Sequence, residues 1–269
     1  MLTGLALAAT FLTKISNLPL LAVSVLLLLF KIRNLVKTGK WRASCPAVAA
    51  LAICASLPML AWLAWCKHTF GDFTGTAAKI QFLGWTQKPF SEWWHHPLLT
   101  PPGLWVFVSE VLTGFWRGEF TWLFQGLAWP GVDAVYVTAS LLFGGAAVAA
   151  LLPRFAAASR EQRQALWFGL ASFTAAMAFL GLLSVSYDFH DCFYPSREHP
   201  YITSGRLVLG ALIPFLLLFV YGLDRASIWL DKTGLARWLV LTGFILFMLV
   251  SEVAINWPAF FSQYNWFHL

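Results

Sequence analysis

A chain of 269 residues with 59% hydrophobic and only 11% charged side chains lacks the polar surface of a water-soluble domain, where about 25% are charged, so its solvent is lipid. The 18 Lys+Arg against 12 Asp+Glu, a formal +6, do not mark a nucleic-acid binder: no basic, aromatic-interleaved soluble domain is present, and surplus Lys and Arg collect instead in cytoplasmic loops and at anionic headgroups. The expected fold is all-α, a polytopic transmembrane bundle of about six or seven spans with residues 1–269 forming one transmembrane domain.

About 20 apolar residues cross ~30 Å of hydrocarbon. In chain order, a short apolar stretch at Leu2–Thr13 is followed by spans at Leu18–Ile32, Pro46–Cys66, Val132–Leu152, Ala165–Val185, Gly205–Leu223 and Leu235–Ile255. Pro58 and Pro214 fall inside spans, where neighbouring helices tolerate a kink. Met1 leads directly into apolar residues with no basic n-region, which argues against a signal peptide. Leu2–Thr13 reads as the end of a helix, and the chain as the C-terminal portion of a larger membrane protein.

Loop charge orients these spans. Lys31–Cys45 carries Lys31, Arg33, Lys37, Lys40 and Arg42 with no acid. Pro153–Gln164 carries Arg154, Arg160 and Arg163 against Glu161, and Asp224–Arg237 carries Arg225, Lys232 and Arg237 against Asp224 and Asp231. The three connections alternate correctly with the spans, so the positive-inside rule assigns them to the cytoplasm. The long loop at 67–133, the Ser186–Ser204 loop and the tail after Asn256 then lie outside. The expected location is a bacterial inner (plasma) membrane.

The 67–133 loop holds Trp85, Trp93, Trp94, Trp105, Trp116, Trp122 and Trp129. Within it Leu104, Phe107, Val111, Leu112 and Phe115 recur at helical spacing, and Glu110, Thr113, Gly114 and Arg117 form the opposite stripe. That pattern predicts an amphipathic helix in the membrane interface, either an aromatic anchor or one wall of a cavity for a lipid-linked substrate.

No P-loop, dinucleotide fingerprint, H-E-x-x-H or G-x-S-x-G occurs, which leaves ATP hydrolysis and Rossmann redox chemistry unsupported. The polar cluster is Tyr187–Tyr201, which brings Asp188, His190, Asp191, Arg197, Glu198 and His199 into one short connection. Three readings stay open: a solvated link between helices, a substrate contact, or a divalent-cation site, although the spacing matches no specific metal motif. His95-His96 with Glu92 is a weaker group, since adjacent histidines rarely face one ligand. Arg206 and Lys14 stand at outer span ends, where a cation either snorkels to headgroups or meets a lipid phosphate. Glu252 lies in the last span, where an ionisable group is a functional candidate. Lys67, His68, Lys79 and Lys88 either solvate the long loop or line an anionic pocket. Among Cys45, Cys54, Cys66 and Cys192 there is no C-x-x-C pair. Cys66 and Cys192 fall on the same outer side, so a disulfide between them stays open.

Three segments resemble a known family. Gly4-Leu5-Ala6-Leu7-Ala8-Ala9-Thr10-Phe11-Leu12-Thr13-Lys14 is similar to the G-L-x-x-G/A-L-A-x-L-T-K segment of polytopic GT-C glycosyltransferases, of the protein mannosyltransferase and lipid A aminoarabinose transferase kind. Phe115-Trp116-Arg117-Gly118-Glu119-Phe120 resembles their outer-loop F-W-G-x-F element. Ser204-Gly205-Arg206-Leu207 through Pro214 resembles their late-helix G-R-Y/L…P element. The resemblance implies transfer of a sugar from a polyprenyl-phosphate donor at the outer face, by displacement with inversion at the anomeric carbon. It implies membrane lipid and a polyprenyl-phosphate-linked sugar as partners. Arg206 and Lys14 would contact the lipid phosphate, and the Asp188–His199 cluster would shape the acceptor site. The family's catalytic acidic motif lies in a first outer loop that matches nothing in Met1–Thr13, so no catalytic residue carries over, and the resemblance implies a chain that lacks this loop and is catalytic only when completed by an N-terminal region. A transporter or flippase of lipid-linked substrates and a non-catalytic membrane subunit are the competing readings. No internal repeat of the transporter kind is visible.

Overall fold

The computed structural model describes residues 1–118, 121–122, 125–152, 158–192, 194–230 and 235–265. Arg154, Asp231 and Lys232, which helped to orient the spans, lie outside the described residues, as do Glu119, Phe120 and Phe193 and the side chains of Trp122 and Arg237. The described helices are α1 (Leu2–Thr13), α2 (Leu18–Lys37), α3 (Trp41–Phe70), α4 (Ala77–Phe82), α5 (Pro101–Arg117), α6 (Pro130–Ala149), α7 (Arg160–Ser186), α8 (Leu212–Leu230) and α9 (Leu235–Phe260). Six helical segments among the described residues are long and apolar enough to cross a membrane, and α1 is a shorter apolar helix. The protein is an all-α, integral, multi-pass membrane protein.

Most helices outrun the apolar windows that predict them, because a helix continues into the headgroup layer where polar side chains are solvated. Thus α2 carries Lys31, Arg33 and Lys37 on its final turns, and α3 begins at Trp41 rather than Pro46. Lys67 and His68 occupy the last turn of α3, where cations complement the helix dipole. Gly71, at φ +77°, ends it in the left-handed conformation that glycine adopts without strain. Two helices differ: α6 ends at Ala149, short of the expected Leu152, and α8 is displaced toward its C-terminal end, reaching Leu230. Helix α8 starts at Leu212, and Gly205–Leu207 and Leu209–Ala211 before it are separate 3-10 turns.

The chain divides into two compact units. The first comprises Met1–Leu104 and Ala171–Ile202; the second comprises Trp105–Leu170 and Thr203–Leu269. In the first, α1 lies against α3 through small residues. Ala8 is buried, and a methyl group at Gly4 would overlap the Leu51 carbonyl and meet Cys54 Cβ. Small side chains let two backbones approach closely, which is how helices associate where lipid is as apolar as protein. The loop of this unit is largely short helical turns. Its two-residue strand Thr86–Gln87 pairs antiparallel with Tyr187–Asp188, Thr86 opposite Asp188. All four cysteines are free thiols, so Cys66 and Cys192 are not bridged; Cys66 is buried, and Cys192 Sγ lies 3.8 Å from the Tyr194 carbonyl oxygen.

The second unit is built on aromatic rings. Trp116 stacks on Tyr136, centroids 5.5 Å apart and planes 11° from parallel, and meets Phe215, Phe219 and Phe244 edge-on. Its indole N–H donates to Ser140 Oγ at 2.7 Å, and the Tyr136 and Ser251 hydroxyls lie 2.9 Å apart, so the polar tips of the cluster are paired. Gly222 of α8 faces the Phe143 carbonyl of α6 so closely that a methyl group there would overlap it. Helix α5 forms where its periodicity predicts. Phe107, Val111, Leu112 and Phe115 are buried, but so are Thr113 and Gly114 from the expected polar stripe, while Leu104 and Trp105 are exposed. The reason is a backbone contact: Gly114 lies against Gly205, leaving no room for a side chain at Gly205.

Candidate functional site

The polar connection after α7 is organised in the first unit by a few hydrogen bonds. The paired strands hold Asp188 beside Thr86, and buried Phe189 meets Trp85 edge-on at 5.0 Å. His190 follows at φ +46°, an uncommon conformation for a non-glycine residue, and its backbone N–H donates to Asp188 Oδ1 at 3.1 Å. Arg197 NH2 donates to His190 Nδ1 at 2.8 Å and approaches Asp188 Oδ2 at 3.4 Å. A guanidinium only donates, so Nδ1 is the acceptor nitrogen and Nε2–H donates to Thr86 Oγ1 at 2.7 Å. His190 Nδ1 also lies 3.9 Å from Asp188 Oδ2. The backbone hydrogen bond from His190, followed by Arg197, lowers the Asp188 carboxyl below its ordinary value against the opposing effect of partial burial. Asp188, His190 and Arg197 therefore form one paired cluster, whereas Asp191 and Glu198 point into exposed positions. His199 belongs to an aromatic group, stacked on Tyr194 at 6.2 Å and edge-on to Tyr201 at 4.9 Å. Among the described residues no three His, Cys, Asp or Glu side chains converge as a metal cage.

His96 is set apart from its neighbour His95. It is 3% exposed, its Nδ1 accepts the Leu98 N–H at 3.1 Å, and its Nε2 lies 3.1 Å from the Pro200 carbonyl. Both ring nitrogens are thereby committed to backbone. Burial first, then the nearby Lys88 charge, lowers its pKa to about 4 against the opposing Pro200 hydrogen bond, so it is a neutral anchor at pH 7.

The second unit contains a recess of small-molecule size. A cavity of about 350 Å³ is lined by Trp105, Ser109, Glu110 and Thr113 of α5 and by Asp133 and Thr138 of α6, among others. That volume falls in the ~300–1,000 Å³ range of small-molecule sites. Its two carboxylates differ. Asp133 sits in the first turn of α6, where the helix dipole favours an anion, and is gripped by Arg117 through Nε at 2.8 Å and NH2 at 3.3 Å. Arg117 also donates to the Gly118 and Leu127 carbonyls, so this pair ties the end of α5 to the start of α6. Glu110 Oε2 accepts instead from the Thr203 hydroxyl at 2.9 Å.

Arg206 is exposed, three residues beyond Thr203 in the 3-10 turn that Gly205 packs against α5. Lys14, in the first unit, is half-buried at the extended residue that ends α1. Glu252 accepts from the Asn256 side chain at 2.9 Å on α9. Sequence patterning places Glu110 and Asp133 on a helix face and at a span start, but it does not pair them. The Arg117–Asp133 pair spans 16 residues between the end of α5 and the start of α6, and nothing local in the sequence points to it. Nothing local points from Glu110 to Thr203. Compared with known protein families, curated proteins and solved structures, the chain shows no significant match.

Proposed function

We propose that this protein is a membrane glycosyltransferase of the GT-C kind, acting at the outer face on a sugar carried by polyprenyl phosphate. The observation that carries the reading is the α5–α6 recess, whose lining combines one indole, several hydroxyl residues and two carboxylates. A sugar ring presents axial C–H groups to an aromatic face and hydroxyls to acceptors, and this lining offers both. Its position at the first turn of a spanning helix suits a donor whose phosphate lies at headgroup depth. In this reading Trp105 stacks on the sugar and Asp133 is a fixed anion neutralised by Arg117. Glu110 accepts the acceptor's proton, and Arg206 contacts the donor phosphate.

The test is transfer of labelled sugar from a polyprenyl-phosphate donor by the protein in proteoliposomes. Glu110→Gln is expected to lower kcat by about 10²-fold or more, the usual contribution of a general base, with donor affinity nearly unchanged. Arg206→Ala is expected to weaken donor binding by about 1–3 kcal/mol, the range for one charge-assisted hydrogen bond. Donor binding without transfer in the wild-type protein would favour a flippase or a binding subunit. Neither binding nor transfer would reject the reading.

A further inference from the structure

A second cavity, on the opposite side of the membrane by loop charge, belongs to the second unit alone. Helices α7 and α8 are in close contact at Gly169, where a methyl group would lie 3.0 Å from the Pro214 carbonyl and 3.4 Å from Leu218. Beside that contact is a groove of about 510 Å³. Its shaft is apolar, walled by Leu166, Leu217 and Val220, and it reaches Ile213. One end is polar, with Gln162 from α7 and Tyr221 and Asp224 from α8. Arg225 stands at the same end: its Nε donates to the Tyr221 hydroxyl at 3.1 Å, and its guanidinium lies 5.1 Å from that ring.

Length decides what this shape fits. From Asp224 to Ile213 is eleven helical residues, roughly 16 Å at 1.5 Å per residue. That is about half of the ~30 Å hydrocarbon core, the depth of one leaflet. In sequence, Gln162 and Asp224 belong to the basic 153–164 and 224–237 connections, which the positive-inside rule assigns to the cytoplasm, so the leaflet is the cytoplasmic one. The end carries both signs of charge on adjacent residues, the Asp224 carboxylate and the Arg225 guanidinium. A purely anionic headgroup would meet repulsion from Asp224. A headgroup with an ammonium next to a phosphate offers each residue an opposite charge, and an ammonium that donates hydrogen bonds suits Asp224 better than a quaternary one.

We infer that the α7–α8 groove is a binding site for a zwitterionic aminophospholipid of the cytoplasmic leaflet. One acyl chain lies along Leu166, Leu217 and Val220, the amine sits at Asp224, and the phosphate sits at Arg225. The site is independent of the outer recess and of any transfer reaction there.

The experiment is native mass spectrometry of the protein released from nanodiscs made of equal parts phosphatidylethanolamine and phosphatidylglycerol. One phosphatidylethanolamine per chain is expected, preferred over phosphatidylglycerol by about tenfold, the effect of one charge-assisted hydrogen bond. Asp224→Asn removes the charge but not the shape, and is expected to bring the two lipids to near-equal retention. Leu217→Trp fills the shaft at a position already 42% exposed, and is expected to abolish retention of either lipid while the elution volume stays unchanged. Equal retention of both lipids by the wild-type protein, or retention unaffected by Leu217→Trp, would overturn the inference.

Discussion

Helices α3 and α8 invert the usual relation between apolarity and burial. The span in α3 is the more apolar, yet none of its most apolar 18 residues is buried; in α8 the share is 44%. In water the more apolar helix would be the better covered. In a bilayer, lipid tails solvate apolar side chains as well as protein does, so hydropathy reports lipid contact and burial requires shape. Helix α3 has its seam with α1 at Gly4 and otherwise presents Ile53, Leu57 and Leu60 outward. Helix α8 buries Phe215, Leu218, Phe219 and Leu223 and brings Gly222 against α6.

The sharpest way to break this contrast is at the glycines. Gly222→Leu is expected to cost about 3 kcal/mol, near the upper end for overpacking, because the side chain meets a backbone carbonyl that has no room to yield. Gly144→Ala on α6, where nothing lies within 4 Å of the added carbon, is expected to be neutral or stabilising by up to about 1 kcal/mol. Both changes are read as shifts in unfolding equilibrium in bicelles. Equal effects would mean that α6 and α8 are not held by that contact.

A smaller effect belongs to the first unit, whose buried polar anchor lies in a loop. The folded His96 imidazole binds a proton near pH 4, whereas an ordinary one binds near 6.5. Between those values the opened loop holds more protons, so the anchor's stability is complete above about 6.5 and is lost as pH falls toward about 4. Hydrogen exchange at Leu98, corrected for the intrinsic rate, should rise through that interval in the wild type and lose the dependence in His96→Gln. A pH-independent opening would remove His96 from the role. Smallest of all, Leu57→Ala on α3 should cost less than about 0.5 kcal/mol in the same bicelle measurement, since that side chain is 65% exposed. A cost several times larger would show that α3 has a protein neighbour rather than lipid along this face.

These contrasts also mark how far a sequence can be read here. Spans are legible because a bilayer demands one thing of about 20 residues at once. Their ends are less so: Lys31 through Lys37 look like loop by charge but continue α2 by geometry. The stretch Gly205–Ala211 reads as the start of a span and is nonetheless two 3-10 turns, where Gly205 meets Gly114 on α5, 91 positions earlier. The site shows the same divide. Asp188, His190 and Arg197 fall within one connection and can be grouped by proximity in the chain. The recess takes its residues from α5 and α6, and its Glu110 partner, Thr203, is 93 residues away. Only the folded backbone brings those together.

The length of α3 has a consequence for the membrane that hosts it. Thirty residues make a rod of about 45 Å, half as long again as ~30 Å of hydrocarbon. Trp41 stands at one end, and Trp62 and Trp65, with ring centroids 4.9 Å apart, stand near the other. From Trp41 to Trp65 is roughly 36 Å along the helix, so residues suited to the two membrane interfaces bracket the span, and tilt is the coordinate left to adjust. A thinner bilayer leans α3 over and a thicker one draws it upright, at a modest cost for each ångström of mismatch. Bilayer thickness thus bears on the tilt of the helix that carries the Gly4 seam.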